Sequence, residues 1–454
     1  MTQIKKIHFV GIGGIGMSGL AEIMHRQGYT VTGSDRSLSA ITEHLSALGI
    51  ACYQGHDAKH VNCDLLVYTS AAASDNPEIT EAKRRNIPTI KRAALLGEFV
   101  RTKKGIAVSG THGKTTTTAM IGMMLENAGL QPTLFVGGIL KGLKTNAKWG
   151  TGDHIVVEAD EYDRSFLELH PFISVINNIE SDHLDCYHDL EDIKKTFTKF
   201  ANQTSVFGSV WVNIDDLNSK ELMPSISKRV MSFGLSEEAY MRAANIKQTH
   251  DNMLFDVFGD RKELGKVNLH LSGEHNVRNA LACIGVGMEL NIPFQKIAES
   301  LSNFEGTARR FEILGTLNGI TWIDDYAHHP TEIKATLKGA RRGWPDQRII
   351  AVFQPHLYSR TRDYLNDFAL SFADADVVIL TDIYAAREEP IQDIDGRRLF
   401  EETKKHHGHV IYVADKNDLT KEINRTVRNG DMVITMGAGD ITHVGRSMFT
   451  KMTA

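Results

Sequence analysis

The sequence has few cysteines, no large excess of charge and no long hydrophobic run. Its 454 residues include only four cysteines, and no two of them form a C-x-x-C pair. This argues against a disulfide framework or a zinc ribbon and predicts a reducing compartment. The net charge of −5 gives no general attraction to nucleic acid or to an anionic membrane, so we expect neither as a partner. No apolar run approaches the length that spans a bilayer, and there is no signal-type apolar segment, so we expect a cytoplasmic protein.

What is present is the composition of a globular protein in which strand and helix patterns alternate. Hydrophobic residues make up 42% of the chain and charged residues 24%, and the length predicts about three domains of roughly 150 residues each. The alternation predicts an α/β fold with parallel sheets covered by helices. We expect a Rossmann-like domain at residues 1–104, a central P-loop ATPase domain with a mostly parallel sheet at 105–307, and a Rossmann-like domain at 308–454. The charged residues 101–105 are the expected first linker, and a strand at 320–323 is expected to open the third domain.

The most informative motif is the run G-T-H-G-K-T-T at residues 110–116, directly after the apolar residues 106–108. A strand that ends in a glycine-flanked turn and opens into a helix points several N–H groups, and the positive end of the helix dipole, at one place. This predicts a nucleoside triphosphate site in which Lys114 reaches the terminal phosphates and the Thr115 hydroxyl ligates Mg²⁺. The motif is shortened, because the usual spacing G-x-x-x-x-G-K-[ST] has glycine where this chain has Val108. A turn of this kind without any ligand is the alternative.

A second glycine motif, G-I-G-G-I-G at residues 11–16, follows the first strand and opens a helix. Asp35 lies 19 residues after Gly16, where a dinucleotide fold has the acid that binds the ribose. Taken alone, this pattern predicts an NAD(P) site. The diphosphate of a nucleotide sugar satisfies the same geometry, and glycines that only permit tight packing of strand against helix are a third interpretation.

Acidic residues follow the strand expected at residues 154–157. Four carboxylates lie within residues 158–163, and they repel one another unless cations neutralise them. A strand end beside a phosphate turn is a typical place for Mg²⁺, and Glu158 is the best candidate ligand because it lies nearest the strand. His183 follows the next strand, between Asp182 and Asp185, and is a candidate second ligand. A solvated acidic loop is the alternative.

Polar groups also gather at the expected boundary between the second and third domains and beyond it. Asn276 and Asn279 share one face of a helical turn, where they can bind a nucleotide or cap the helix. An arginine that enters a nucleotide cleft can stabilise a transferring phosphoryl group; Arg310 is the candidate and Arg309 stays open.

The third domain carries the last polar clusters. Two carboxylates, a phenol and two imidazoles lie within residues 324–329, at the end of a predicted strand. Zinc ligation there is disfavoured, because adjacent histidines point apart. His356 and Arg360 follow the next strand and suit an anionic substrate.

Taken together, these motifs resemble those of the Mur ligases, ATP-dependent enzymes that build the peptide stem of bacterial cell-wall precursors. The resemblance covers nearly the whole chain. It is carried by residues 110–116 (GTHGKTT), 158–161 (EADE), 182–185 (DHLD), 273–276 (GEHN), 307–311 (TARRF), 325–330 (DYAHHP) and 437–440 (GAGD).

The resemblance implies a reaction and its substrates. An N-terminal domain would hold the UDP part of a sugar nucleotide, so that a UDP diphosphate rather than NAD binds the first glycine motif. A central domain would bind ATP, and a C-terminal domain would close over ATP and admit the amino acid. The implied activity joins L-alanine to the lactyl carboxylate of UDP-N-acetylmuramate through an acyl phosphate. The alternative within the family attaches a recycled murein tripeptide to the same sugar nucleotide.

The cofactors implied are ATP and Mg²⁺ at two sites, with Mn²⁺ able to substitute, in a monomer or homodimer. The residues expected at ATP are Gly110, Thr111, His112, Gly113, Lys114, Thr115, Thr116, Asn276, Asn279, Arg310 and Asp325. Those expected at the sugar nucleotide or the amino acid are Gly11, Gly13, Gly14, Ile15, Gly16, Ser34, Asp35, Ser70, Tyr326, His328, His356 and Arg360. The expected metal ligands are Thr115, Glu158 and His183. The residues expected to act in the chemistry are Lys114, Glu158, His183, Arg310 and His328, with His183 and His328 as possible acceptors of the amine proton.

One position departs from the family pattern. Members often have a polar or basic residue where this chain has Leu357, which leaves one substrate contact open.

Overall fold

A computed structural model describes residues 4–143, 145–184, 186–386 and 388–453. The chain divides into two compact units, and each is described by itself. Unit 1 comprises Met1–Ala244, Val257–Gly265 and Arg278–Phe304. Unit 2 comprises Asn245–Asp256, Lys266–Val277 and Glu305–Ala454.

The first sheet has five strands, and all four neighbouring pairs are parallel. Its strands are β1 (Lys6–Val10), β2 (Thr30–Asp35), β3 (Ala51–Gln54), β4 (Leu65–Tyr68) and β5 (Thr89–Lys91). Its helices are α1 (Ile15–Arg26), α2 (Ala40–Ala47), α3 (Pro77–Arg84) and α4 (Arg92–Thr102). The strand order is β3-β2-β1-β4-β5, so the order reverses at β1. Ligands of such sheets bind where the order reverses, and the first glycine motif follows β1 at that point.

The second sheet carries the triphosphate-type turn. Its strands are β6 (Lys104–Ser109), β7 (Thr133–Leu140), β8 (Thr145–Lys148), β9 (His154–Glu158), β10 (Ile173–Ile176), β11 (Ser209–Asn213), β12 (Val230–Gly234), β13 (Met241–Thr249), β14 (Asn252–Gly259) and β15 (Lys262–Leu269). Its helices are α5 (Lys114–Asn127), α6 (Leu190–Asn202), α7 (Leu217–Leu222), α8 (Glu274–Glu289) and α9 (Phe294–Ser302). The order is β15-β14-β13-β12-β11-β10-β6-β9-β7-β8. The strands from β12 to β7 in this order pair in parallel, and β8 is antiparallel to β7.

The third sheet belongs entirely to unit 2. Its strands are β16 (Glu312–Leu317), β17 (Ile320–Asp325), β18 (Ile349–Phe353), β19 (Val377–Thr381), β20 (Val410–Val413) and β21 (Met432–Met436). Its helices are α10 (Pro330–Gly343), α11 (Tyr358–Asp363), α12 (Leu365–Ala369), α13 (Gly396–Thr403), α14 (Lys416–Thr426) and α15 (Ile441–Thr453). The order is β16-β17-β21-β18-β19-β20, parallel except for the β16–β17 pair. Among the described residues, no helix combines the length and the apolar character needed to cross a membrane.

The predicted α/β class, with mostly parallel sheets, is confirmed, but two local predictions are wrong. Residues 101–105 are not a linker, because α4 continues to Thr102 and β6 begins at Lys104. The charge of Lys103 is satisfied internally, since its Nζ donates to the carbonyls of Gly150 and Gly152 at 2.7 and 2.6 Å. The first strand of the third sheet is β16 rather than the run at 320–323, and it pairs antiparallel with β17 across a short turn.

The first two sheets share one apolar core within unit 1, and α1 connects them. The core continues from Phe9 in β1 to Val157 in β9, and both side chains are fully buried. A Cβ on Gly19 of α1 would lie 2.7 Å from the Cβ of Ala147 in β8, so only glycine permits this approach. The Asn146 side chain also donates to the Ile15 carbonyl at 2.8 Å. The first glycine motif is therefore packed directly against the second sheet.

A buried carboxylate connects loops of the first sheet. Glu78 of α3 is fully buried and accepts a hydrogen bond from Ser34 Oγ at 2.5 Å. Ring nitrogens of three histidines lie 2.9–3.5 Å from its oxygens: His8, His56 and His60. Burial alone would raise the pKa of this carboxyl group, but hydrogen bonds with His8, Ser34 and His60 outweigh burial and lower the pKa to about 2.

Replacing Glu78 with glutamine is expected to lower the free energy of unfolding at pH 7 by about 3 kcal/mol, because it removes a buried carboxylate from a hydrogen-bond network and leaves its partners unsatisfied. The pKa of Glu78 is depressed in the folded state, so this stability is present above its ordinary value of 4.5 and is lost as the pH falls towards 2. Urea denaturation across that range should show the two proteins converging at low pH. The control is Glu81→Gln on the same helix, whose partners are the solvent-exposed Arg84 and Arg85. Equal losses in both variants would contradict the prediction.

Candidate active site

The predicted phosphate turn lies between β6 and α5. Gly110 (φ 134°) and Gly113 (φ 80°) take backbone conformations that other residues rarely adopt. A Cβ on Gly113 would lie 2.6 Å from Asn279 Oδ1 and 3.1 Å from Asn177 Nδ2. No side chain caps α5 in the described structure, so the N–H groups of its first turn face the loop. This narrow cradle of N–H groups fits the oxygens of a phosphate.

The shortened motif has a structural reason. Val108, at the place of the missing glycine, is fully buried in β6, and the turn begins only at Gly110. Asn178 helps to hold this turn: Thr111 N donates to the Asn178 carbonyl at 3.0 Å, and His112 N donates to Asn178 Oδ1 at 2.7 Å. β6 therefore extends through Val108 and Ser109, the first two positions of the usual motif G-x-x-x-x-G-K-[ST].

The ammonium group of Lys114 is engaged by a carboxylate within this turn. Its Nζ donates to Glu161 Oε1 and Oε2 at 2.9 and 2.7 Å and to the Gly110 carbonyl at 2.7 Å. Burial alone would lower the pKa of Lys114, but the charges of Glu161 and Asp160 outweigh burial and raise the pKa. Lys114 is therefore positively charged at neutral pH. Glu161, only 3% exposed, is a site residue that the sequence analysis did not single out from its acidic run.

Glu158, the last residue of β9, lies against Gly137 in β7, and Thr115 lies against the next glycine. Its Oε1 accepts a hydrogen bond from Gly137 N at 2.5 Å, and a Cβ on Gly137 would lie 2.6 Å from its Oε2. A Cβ on Gly138 would lie 3.2 Å from Thr115 Cγ2. Thr115 and Glu158, both predicted metal ligands, thus flank the same two glycines.

A separate group of potential metal ligands surrounds His183. Asp160, Glu161 and His183 each offer one ligand atom, and these atoms lie within 4.8 Å of one another. Two carboxylates and an imidazole are a suitable donor set for Mg²⁺ or Mn²⁺. The pairing of His183 with Glu158 stays a prediction, and Asp185 lies outside the described residues.

A cavity of about 240 Å³ connects the first glycine motif with the acidic end of β9. It is lined by residues from both sheets of unit 1: Gly14, Ile15, Gly16, Met17, Gly19, Leu20, Thr69, Arg92, Leu96, Phe135, Val136, Gly137, Asn146, Glu158 and Asp160. The two motifs are far apart in sequence and meet because α1 packs against β8. A diphosphate bound at the N-terminus of α1 would face the side of the cavity that carries Glu158 and Asp160.

Arg92 is a candidate ligand-binding residue that the sequence analysis missed. It is the first residue of α4, and a Cβ on Gly16 would lie 3.1 Å from its Nη1. A guanidinium beside a glycine turn is a typical anion-binding arrangement. The available signal was a basic residue directly after the last strand of the parallel sheet, on the edge where ligands bind.

Three predicted substrate contacts of the first sheet lie in different settings. Asp35 Oδ2 accepts a hydrogen bond from Gly13 N at 2.9 Å, so this carboxylate holds the glycine turn. Ser34 has no exposed surface and donates to Glu78. Ser70 is exposed. The roles of Ser34, Asp35 and Ser70 towards a substrate stay predictions.

In unit 2, four rings form a row at the carboxyl edge of the third sheet. The ring of Tyr326 lies 5.1 Å from that of His328, and the ring of His328 lies 6.1 Å from that of His356. The ring of Tyr384 stacks on His356 at 5.8 Å and 14°. The fold therefore brings together three of the predicted substrate residues and adds Tyr384, which follows β19 and which the sequence analysis missed.

The two neighbouring arginines have different environments. The guanidinium of Arg309 donates to the Gly437 carbonyl at 2.5 Å, which ties it to the loop after β21. The side chain of Arg310 is 30% exposed and lies 3.5 Å from Glu332. Both guanidinium groups lie near the ring of Tyr326, at 4.8 and 5.1 Å from its centre. Arg309 thus supports the loop, and Arg310 is the better candidate for contact with a ligand.

Asp325, predicted to lie near the ATP ribose, is buried in unit 2. Its Oδ2 accepts a hydrogen bond from Phe311 N at 2.6 Å and its Oδ1 accepts one from Ala327 N at 2.7 Å. Burial raises the pKa of Asp325 to about 6, although the charge of Arg310 and these two hydrogen bonds act in the opposite direction. Both carboxylate oxygens therefore hold the backbone around the row of rings, and the ribose contact stays a prediction.

The two predicted amides lie near the start of α8, as their spacing indicates. Asn279 belongs to unit 1, where its Oδ1 approaches the position of a Cβ on Gly113. Asn276 belongs to unit 2, and its Nδ2 donates to the Ser272 carbonyl at 2.8 Å. Both side chains are buried.

The loop that carries Leu357 has an unusual backbone. Leu357 has φ 71°, a conformation that is costly for any residue other than glycine. Two hydrogen bonds hold Leu357 in this conformation. Leu357 N donates to the Tyr384 carbonyl at 3.0 Å, and Thr361 Oγ1 donates to the Leu357 carbonyl at 2.8 Å. Arg360 in the helix that follows is only 8% exposed. The loop thus positions His356 while the next residue, Leu357, keeps a strained backbone conformation.

Three family models match consecutive parts of the chain. The model described as "Mur ligase family, catalytic domain" matches residues 6–104. "Mur ligase middle domain" matches residues 108–287, and "Mur ligase, glutamate ligase domain" matches residues 309–439.

Curated relatives and solved structures match nearly the whole chain. The UDP-N-acetylmuramate–L-alanine ligase of Trichlorobacter lovleyi is 48% identical over 99% of both chains, and that of Geobacter sulfurreducens is 47% identical over 99% of this chain and 98% of the relative. The crystal structure of the UDP-N-acetylmuramate-alanine ligase of Thermotoga maritima has a TM-score of 0.86, with 30% identity and 99% coverage of both chains. A murein peptide ligase structure from Psychrobacter arcticus has a TM-score of 0.74, with 25% identity over 99% of this chain and 98% of that chain.

Replacing Gly113 with alanine is expected to weaken ATP binding about tenfold or more, because the new Cβ collides with Asn279 and narrows the phosphate cradle. Gly129→Ala is a matched control just beyond the other end of α5. Gly129 has nearly the same φ, 81°, but nothing lies within 4 Å of its Cβ position. Both variants should be destabilised by about 1 kcal/mol from the left-handed backbone, whereas calorimetric titration with ATP should show weaker binding only for Gly113→Ala. Comparable ATP affinity in the two variants would contradict a phosphate cradle at this turn.

Proposed function

Because the chain belongs to the Mur ligase family, we propose that it joins L-alanine to the lactyl carboxylate of UDP-N-acetylmuramate. ATP is consumed, and the products are UDP-N-acetylmuramoyl-L-alanine, ADP and phosphate. The reaction supplies a precursor of peptidoglycan and takes place in the cytoplasm. One observation carries the proposal. A single cavity of unit 1 is lined both by the glycine motif after β1, which suits a diphosphate, and by the carboxylates at the end of β9, which suit a metal ion.

The residues of unit 1 divide the binding between them. The turn at residues 110–116 holds the triphosphate through its N–H groups and Lys114. The N-terminus of α1 and Arg92 hold the diphosphate of the sugar nucleotide. Thr115, Glu158 and the group around His183 would hold Mg²⁺ at two sites, where Mn²⁺ can substitute. When bound, the metal offsets the negative charge of the triphosphate and the carboxylates.

The first chemical step needs charge neutralisation rather than a base. The lactyl carboxylate is already a nucleophile, and one of its oxygens attacks the γ-phosphorus of ATP while the bond to ADP breaks, giving an acyl phosphate. The obstacle is repulsion between two anions. The cations of Lys114 and Arg310 reduce that repulsion and stabilise the charge on the transferring phosphoryl group.

The second step needs a proton acceptor. The neutral amine of L-alanine attacks the acyl carbon, phosphate leaves, and the nitrogen loses one proton. His328 is oriented for this role, because its Nδ1 lies 2.9 Å from the Tyr326 carbonyl and 3.2 Å from Glu332 Oε2. His183 is the second candidate, with its Nε2 3.9 Å from Glu161 Oε1.

The proposal is tested by measuring ADP release with each substrate left out in turn. We expect release only when UDP-N-acetylmuramate and an amino acid are both present, with L-alanine giving the highest kcat/KM. The murein tripeptide serves as the comparison acceptor. Faster turnover with the tripeptide would assign the chain to peptide recycling. ADP release that needs neither substrate would exclude a ligase.

Replacing Arg310 with alanine is expected to lower kcat about 100-fold or more, the usual effect of removing a group that stabilises transition-state charge. Its melting temperature should stay close to that of the unchanged protein, because the side chain lies partly at the surface. Arg309→Ala is the neighbouring comparison. It should lower the melting temperature, because it removes the donor that holds the loop after β21. A large kcat loss with normal melting in Arg309→Ala, and not in Arg310→Ala, would reverse the assignment.

A further inference from the structure

The ammonium group of Lys114 has no hydrogen-bond donor left for a phosphate in this arrangement. An ammonium has three N–H donors. Three acceptors lie within 2.9 Å of Nζ: both carboxylate oxygens of Glu161 and the carbonyl of Gly110. The lysine that the proposed function assigns to the triphosphate must therefore give up one of these partners when ATP binds.

Glu161 is the partner that can exchange. The carbonyl of Gly110 is part of the turn itself, whereas Glu161 lies 47 positions away in sequence, on the segment after β9. Its side chain already lies beside a second set of partners, since one of its oxygens is within 4.8 Å of ligand atoms of Asp160 and His183. Exchange requires the carboxylate to turn from Lys114 towards Asp160 and His183. Its backbone is held throughout, because Tyr187 OH donates to the Glu161 carbonyl at 2.6 Å.

We propose that Glu161 is the counterion of Lys114 in the nucleotide-free protein, and that the triphosphate and this carboxylate compete for the same ammonium. When phosphate oxygens bind Lys114, the carboxylate of Glu161 is released towards Asp160 and His183, where it completes a ligand set for a divalent cation. Glu161 is therefore a positioning residue that links nucleotide binding to metal binding. The inference rests on the proposed role of the turn in ATP binding.

Electrostatics gives the direction of this link. Without a metal, a bound triphosphate leaves the displaced carboxylate close to other negative groups, so metal-free nucleotide binds weakly. With a metal, the same carboxylate gains a cation in exchange for the lysine it has lost. Because coupling between two ligands is reciprocal, nucleotide must raise metal affinity by the factor by which metal raises nucleotide affinity.

The test is the Glu161→Gln variant of the full chain, titrated with ATP in the absence of sugar nucleotide so that no turnover occurs. In EDTA we expect the variant to bind ATP about tenfold more tightly than the unchanged protein, because the competing charge is gone. Adding Mn²⁺ should raise the ATP affinity of the variant by a smaller factor, relative to EDTA, than it raises the ATP affinity of the unchanged protein. Electron paramagnetic resonance of Mn²⁺ measures the reciprocal loss of metal affinity. A purely structural role would weaken binding under both conditions.

Asp163→Asn is the matched control. It makes the same change of carboxylate to amide two residues away, but Asp163 pairs with Lys91 at 2.6 Å. Its ATP affinity in EDTA should equal that of the unchanged protein. If Glu161→Gln does not fold, Glu161→Asp takes its place, because it keeps the charge on a side chain too short to hold Lys114 as closely. In EDTA it should bind ATP more tightly than the unchanged protein and show a larger ATP-induced rise in melting temperature than the unchanged protein.

The outcomes separate the inference from the function on which it rests. If the unchanged protein binds no ATP with or without Mn²⁺, the proposed function fails. If the unchanged protein binds ATP but Glu161→Gln binds it no more tightly in EDTA, the proposed competition is wrong. The same holds if Asp163→Asn shows the same tightening as Glu161→Gln.

Discussion

The structure of unit 1 depends on balancing negative charge at the end of one strand. β9 delivers Glu158, Asp160 and Glu161 to a single edge of the sheet, where carboxylates this close destabilise one another. Each carboxylate has a different partner within the chain: Gly137 N donates to Glu158, Tyr162 N donates to Asp160, and Lys114 pairs with Glu161. A triphosphate and a divalent cation are the ligands proposed for these same groups. Contacts within the chain therefore already hold the proposed ligand-binding groups in place.

Close packing of backbone supplies the geometry for this arrangement. Gly19 lets α1 lie against β8, which places the first glycine motif on the same cavity as Glu158. Gly113 lets the first turn of α5 approach Asn279. In both places a methyl group would separate elements that belong to different motifs. Glycine therefore acts here less as a source of flexibility than as the residue that lets two distant parts of the chain come into close contact.

The α/β class and the position of most strands could be predicted from the sequence, because apolar runs followed by glycine or acidic residues mark the carboxyl ends of parallel strands. β16 was missed because its residues alternate weakly and contain Gly315, and residues 101–105 were misread because charge alone does not distinguish a loop from an ordered lysine. Arg92 directly follows β5 on the edge where ligands bind, a signal that was overlooked. Tyr384 could not be found, since its importance comes from its stacking on His356, which only the folded chain brings close. Glu161 was hidden among equivalent carboxylates, and only its contact with Lys114 distinguishes it.

The direct passage from α4 into β6 has a mechanical consequence. A single residue, Lys103, separates the helix of the first sheet from the strand of the second, and its ammonium is anchored to two carbonyls before β9. So short a joint leaves little room for the helix and the strand to rotate against each other, and the apolar core that both sheets share adds to this constraint. The packing of α1 against β8 then sets the width of the cavity that the two sheets line.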